Sequence, residues 1–290
     1  MDGTLFGNPW EHIRLLSDDA RNAVLVDFLQ RHAPGNRVLE VGCGTGLLSA
    51  IAARLGATEV YAVEPTEIAE VAQALMKRNN LPVTVLRGRI EDLEPRQVDV
   101  AFSELLNADP FYEGVVEVTR ATRPWVRPGG LLAPQRLTVY AAAVQASDSA
   151  REARAAIREV QGFARRFDLD LSPVLDGLRT DAPHRYVTLA EVPAGPAVVA
   201  FDLDLLADAE PAARVRLQLP VFEPGPVAGV MVWFEARMDD SLVLHNRPSE
   251  PSHWGQQVCA FSTERGMRAD STLDVWLILE DGELNAVAAG

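Results

Sequence analysis

Apolar positions along this chain change their period once, near residue 135. Before that point, short continuous apolar runs alternate with helically spaced ones. Residues 10–32 repeat apolar side chains at helical spacing and predict one or two helices. The runs RVLEVG (37–42), EVYAVE (59–64), VTVLRG (83–88) and VDVAFS (98–103) predict buried strands. Between them LLSAIAARLG (47–56) and EIAEVAQALMKRNN (67–80) predict helices, the first ended by Gly56. A further helix is expected near 113–126, followed by a turn at RPGG (127–130). Strands that alternate with helices imply a parallel, doubly wound sheet. Beyond residue 135 the period drops to two in AVVAFDLDLL, ARVRLQLPVF, GVMVWFEARM, QQVCAFS and TLDVWLILE. These predict a β-rich second domain, a barrel or a sandwich. Residues 150–166 break the pattern with a charged amphipathic helix. Pro134 marks the expected boundary, giving domains at 1–134 and 135–290.

Composition narrows the classes. The 290 residues are 48% hydrophobic and 23% charged, ordinary for a globular protein with ample length to bury a core. No apolar run is long enough to span a bilayer. The first residues, MDGTLFGNPWEH, lack the basic and apolar regions of a signal peptide, so a cytoplasmic protein is expected. Cys43 and Cys259 form neither a metal cluster nor a disulfide framework, and no metal site is expected. The net charge of −14, with no basic stripe, argues against a nucleic-acid partner and for attraction of cations. Lys77 is the one lysine among the basic residues.

The turn VGCGTG (41–46) carries the first chemistry. Gly42, Gly44 and Gly46 directly follow a predicted strand and open a predicted helix. Glycine allows the tight turn and the close approach of backbone to a ligand. Glu64 closes the next strand, about 20 residues on, where a carboxylate can take ribose hydroxyls. A nucleoside cofactor is expected, and the physics of the turn suits a dinucleotide or S-adenosylmethionine (SAM) alike.

The second chemistry lies in SELLNADPFYEG (103–114), which follows the strand VDVAFS. Glu104 and Glu113 bring two carboxylates to the mouth of the same site. Such a pair suits a guanidinium, whose planar fork offers five N–H donors. A cofactor and a cation side by side suggest methyl transfer to arginine.

The residues carry a resemblance that runs nearly end to end. Glu40 to Gly46 has the form E-x-G-x-G-x-G seen in class I SAM-dependent methyltransferases. His12, Leu15, Leu16, Asp18 and Arg21 have the spacing of the helix H-x-x-M-L-x-D-x-x-R found in protein arginine methyltransferases. Glu104 and Glu113 match that family's double-glutamate loop, and Ser252, His253 and Trp254 match its threonine-histidine-tryptophan loop. The resemblance implies a Rossmann-like SAM-binding domain, then a β-barrel with an inserted helical arm near 150–180 that forms a homodimer. It implies that Arg21 grips the SAM carboxylate, that Glu64 binds ribose and that Glu91 lies by the adenine. His12 joins these as a cofactor residue. Glu104 and Glu113 would clamp the substrate guanidinium, with Asp18 and His253 paired at the floor and Trp254 as a wall. The implied substrate is an arginine-containing peptide or protein, or free arginine or another small guanidine in natural-product biosynthesis. A non-catalytic scaffold is the rival class. Four positions depart from the family pattern: Phe6 for tyrosine, Leu15 for methionine, Asn107 for glycine and Ser252 for threonine.

Overall fold

A computed structural model of the chain describes residues 9–145, 159, 162, 165–169, 185–188, 191–208 and 210–289. Phe6 and, apart from isolated positions, the predicted helix 150–166 and the arm near 150–180 lie outside the described residues. Among the described residues, no helix is long and apolar enough to cross a membrane.

Two helices occupy the predicted N-terminal stretch. Helix α1 (Pro9–Leu16) begins on a proline, whose missing N–H costs nothing in a first turn. Helix α2 (Asp19–His32) follows, with Asp18 as its cap: Asp18 Oδ1 accepts from the Arg21 N–H at 3.0 Å. Its buried face is Arg21, Leu25, Phe28 and Leu29, one stripe at helical spacing.

The parallel sheet comes next. Its elements are β1 (Arg37–Val41), α3 (Leu47–Arg54), β2 (Glu59–Glu64), α4 (Ala69–Asn79), β3 (Val83–Arg87), β4 (Val98–Ser103), α5 (Val115–Thr122) and β5 (Val126–Ala133). The strand order is β3-β2-β1-β4-β5, with every pairing parallel. The order reverses between β1 and β4. In open α/β sheets such a reversal leaves a crevice at the carboxyl ends of the two strands, where ligands bind. The glycine turn follows β1, and the double-glutamate loop follows β4, so the topology sets the two predicted motifs on either side of that crevice.

One predicted turn is corrected. RPGG belongs to β5 as an irregularity in register: Val98 pairs with Val126, but Val100 pairs with Leu131. The extra residues bulge rather than end the strand. Arg127 turns back to Asp99, its Nε donating to Oδ1 at 2.5 Å. A Cβ on Gly130 would lie 2.8 Å from the Asp99 carbonyl oxygen, so the bulge needs glycine there.

The chain then changes architecture within three residues, through a cis Ala133–Pro134 bond. Strands β6 (Arg136–Gln145), β7 (Arg185–Thr188), β8 (Val198–Asp204), β9 (Arg214–Val221), β10 (Gly225–Arg237), β11 (Val243–His245), β12 (Gln256–Met267), β13 (Ser271–Glu280) and β14 (Glu283–Ala288) are antiparallel. One sheet runs β7-β12-β10-β6-β8 with β11 on β10, and the other runs β14-β13-β9. They close on each other, β9 beside β6 and β8, and β14 beside β12. Alternate residues Leu137, Val139, Leu219, Val230, Val275 and Leu277 point inward and are fully buried, or nearly so. Strands β7, β11 and β14 were not predicted. The second has three residues, and β14 buries one large side chain, Leu284, so neither shows alternation. A single apolar cluster joins Leu25, Phe28 and Phe102 to the interior of the barrel. Each such side chain contributes about 1.5–3 kcal/mol when buried.

Candidate active site

A cavity of about 1180 Å³ opens at the crevice between β1 and β4. Its walls combine the glycine turn, the double-glutamate loop, α1 and α2, and the loop 253–255 from the barrel.

The glycine turn takes up backbone angles open chiefly to glycine. Gly42, Gly44 and Gly46 have φ of 75°, 51° and 79°. A Cβ on Gly44 would lie 2.8 Å from Cε1 of His12, so the ring of His12 roofs the turn. Glu64 is held rigidly below it. Its Oε2 accepts from the Gly44 N–H at 2.9 Å, and its Oε1 from the N–H and hydroxyl of Thr66 at 3.0 and 2.7 Å. Glu40, at the end of β1, is buried and accepts from the Ser49 hydroxyl. Burial pushes its carboxyl up to about 8, against the pull of Ser49 and the Arg21 charge. Glu91 also lines the cavity, and Arg89 Nε donates to it at 2.5 Å. Burial works against its ionisation, but its own N–H and Arg89 together outweigh that and hold it below the usual carboxylate range.

The two glutamates of the loop after β4 meet different conditions. Glu104 Oε2 accepts from Nε of Arg21 at 2.7 Å and from Nη2 as well. Its Oε1 is buried and without a partner. Glu113 Oε1 accepts from Nδ2 of Asn107 at 3.1 Å. Burial and the Glu104 charge push Glu113 up to about 8, while Asn107 and Arg21 oppose them. The loop is fastened from behind. Asp109 accepts from the Phe111 N–H at 3.2 Å and, through Oδ2, from the Leu284 N–H of β14 at 2.7 Å. Phe111 packs edge-on to Phe201 with ring centroids 5.3 Å apart.

Asp18 and His253 meet as predicted. Asp18 Oδ2 accepts from the His253 N–H at 2.9 Å and faces its Nδ1 at 2.8 Å. A carboxylate can only accept, so Nδ1 carries the proton and Nε2 of the neutral ring is left as an acceptor. Nε2 is buried without a partner. Burial lowers the affinity of the ring for a second proton, more than Asp18 raises it. Burial raises Asp18, but the N–H groups of Arg21 and His253 and the ring itself outweigh it, so the carboxylate sits low. Trp254 stands beside His253, centroids 4.3 Å apart, and edge-on to Phe234 at 5.2 Å. Asn246, fully buried, anchors this loop: its Oδ1 accepts from the Phe234 N–H at 2.7 Å and its Nδ2 donates to the Gly255 carbonyl at 2.6 Å.

Of the site residues singled out in the sequence, His12, Arg21, Gly42, Gly44, Glu64, Glu91, Glu104, Glu113, His253 and Trp254 line one cavity, and Asp18 stands behind it against His253. Arg21 lines the cavity, and its guanidinium lies on Glu104. In doing so it shows that Glu104 accepts a guanidinium edge. Sequence reasoning missed Asn107 as a partner of Glu113, and missed Thr66, Asp109 and Asn246. Thr66, two residues past Glu64, was within reach of a local reading. The Asp109–Leu284 bond spans 175 residues and was not.

The residues fit SAM: the left-handed turn at Gly42 and Gly44 lines the cavity, Glu64 is oriented beside it, and the cavity is rich in carboxylates. A family described as "Methyltransferase domain" matches residues 38–130. A probable protein arginine N-methyltransferase 6.1 of Oryza sativa subsp. indica is 28% identical over 308 residues, covering 94% of this chain and 80% of that protein. Among solved structures, Arabidopsis thaliana Protein Arginine Methyltransferase 10 superposes with a TM-score of 0.79 at 24% identity, covering 95% and 89% of the two chains. The Trypanosoma brucei PRMT1 enzyme–prozyme heterotetrameric complex with AdoHcy superposes with a TM-score of 0.77 at 21% identity, covering 94% and 88%. The fold, the cavity and these relatives agree: residues 38–130 match a methyltransferase domain family, and over most of its length the chain is similar to protein arginine N-methyltransferases.

Proposed function

We propose that this protein transfers the methyl group of SAM to a guanidinium nitrogen of arginine in a peptide or protein. One observation carries the reading: Glu104, its side chain buried, and Glu113, partly buried, face one cavity with the glycine turn, and Glu104 keeps a buried oxygen without a partner. SAM supplies a methyl group already activated on a positively charged sulfur. The Gly42–Gly46 turn, Glu64 and His12 would hold it, and Glu91 would lie at its adenine end.

The protein's own groups do the rest by charge and alignment. A substrate guanidinium is protonated at neutral pH. Glu104 and Glu113 draw its positive charge toward the nitrogens they face, leaving electron density on the third. Asp18 holds the His253 ring so that Nε2 is a bare acceptor, and it is the group we assign to take the proton that leaves the guanidinium. Trp254 and the apolar wall keep water from competing. Near neutral pH the empty site holds a proton on Glu113. A guanidinium beside it favours the carboxylate, so capture of substrate releases that proton.

The test is mass spectrometry after incubation with SAM, run on an arginine peptide, its lysine twin and free arginine. The expected result is methyl on guanidinium nitrogens of the peptide and none on lysine, because an ammonium lacks the planar fork. Methylation of free arginine alone would move the substrate to a small guanidine. Methyl on lysine or on a carboxylate would overturn the reading.

A further inference from the structure

We propose that Asn107 is a positioning residue for Glu113, holding one carboxylate oxygen so that Glu113 meets the substrate in a fixed orientation and gives up its proton readily as the guanidinium arrives. The inference rests on the arginine reading above and goes beyond it, because it concerns what prepares the carboxylate.

The amide of Asn107 is locked at both ends. Its Oδ1 accepts from the N–H of Ala108 at 2.7 Å, and its Nδ2 donates to Oε1 of Glu113 at 3.1 Å. A flipped amide would set oxygen against carboxylate and NH2 against N–H, so one orientation alone satisfies both contacts. The loop thus aims a donor at Glu113 from six residues away. Glu113 then has one oxygen held by the protein and the other left for a ligand. Glu104 shows the same division: Arg21 holds Oε2, and Oε1 is buried without a partner. Each glutamate therefore offers one oxygen, and a guanidinium fits with one N–H on each.

The charged neighbours of Glu113 set how much the amide matters. Glu104 on the same loop and Glu64 at the end of β2 oppose its ionisation, and Arg21 on α2 favours it. The cavity also holds His253, which is neutral near pH 7. With carboxylates in the majority, the Asn107 donor is the local group, besides Arg21, that favours the charged form. A hydrogen bond to a charged group moves a titration midpoint by about one pH unit.

The experiment is the pH profile of kcat/KM for an arginine peptide, in wild type, Asn107→Asp and Asn107→Ser. Aspartate keeps the oxygen that caps the Ala108 N–H but turns the donor toward Glu113 into a second carboxylate. Serine is too short to reach. The acidic limb should move up by about one pH unit in Asn107→Ser and by more in Asn107→Asp. At a fixed pH below both midpoints this is about a tenfold loss. The rate should recover toward wild type as pH rises, and SAM affinity by calorimetry should hold, which shows that the site still folds. An acidic limb that stays in place in both variants would overturn the proposal, whether or not the plateau falls. A wild-type enzyme that methylates no arginine would instead overturn the function itself.

Discussion

Glu40 and Glu113 illustrate how burial assigns charge at single residues. Both are carboxyls pushed up to about 8, and each has a single side-chain donor, Ser49 or Asn107. Glu104 shares the loop of Glu113 but lies against the Arg21 guanidinium. The consequence for Glu40 can be measured. Its carboxyl binds a proton more tightly folded than unfolded, where its ordinary value is 4.5. Its contribution to stability is therefore complete below about pH 4.5 and is lost as pH rises toward 8. Glu40→Gln removes that dependence. Denaturant midpoints measured at acidic and alkaline pH should show the wild type losing more stability toward alkali than the variant. Parallel curves would contradict the assigned burial. At this scale the sequence was partly legible. Residue type and spacing gave Glu104 and Glu113, and the family resemblance added Asp18 and His253. Neither told that Arg21 would pair with Glu104, because a partner 83 residues away is chosen by the fold.

Single elements hold the chemistry still through contacts made behind the site. The double-glutamate loop hangs from β4 but is fastened by Asp109 to β14, near the end of the described chain. The tie matters because the Glu104 charge opposes that of Glu113, so the two carboxylates resist mutual approach. Asp109→Asn keeps the shape but offers one acceptor where two are needed, leaving a backbone N–H facing an NH2 group. We expect a loss of roughly 1–3 kcal/mol in stability and a drop in kcat, with SAM affinity retained. Thermal unfolding together with steady-state kinetics checks both. Unchanged kcat in a folded variant would show that the tie is dispensable for the loop. Element legibility followed side-chain burial. Strands β1, β2 and β4 bury nearly every residue, and their apolar runs were plain. The RPGG segment read as a turn because proline and glycine usually punctuate, and only its register against β4 shows a bulge. β14 gave no signal because one strong apolar residue makes no pattern.

The whole molecule joins a parallel sheet and an antiparallel barrel through one apolar core. Asp239 adds a polar link between them. Burial works against its ionisation, but His32 of α2, facing it at 3.0 Å, and the N–H groups of Ser241 and Leu242 hold its carboxyl down at about 2. Asp18 and His253 join the same two parts at the active site, across 235 residues of sequence. Fold class was legible from the change of period near residue 135, and the site from four separated motifs in order. Apart from the Asp18–His253 pair, which the family resemblance implied, the contact between the halves remained hidden, since periodicity describes each element and not its neighbours. That contact builds the cavity, and the cavity's acidic floor is the centre of the account. The most direct measurement is methyl transfer to an arginine peptide by Glu104→Gln and Glu113→Gln, each compared with wild type at saturating SAM. Glutamine keeps size and reach but removes charge. Each variant should lower turnover by orders of magnitude, about tenfold for every 1.4 kcal/mol of lost charge stabilisation, while SAM affinity by calorimetry changes little. Wild-type turnover in both variants would contradict a guanidinium clamp built from these two carboxylates.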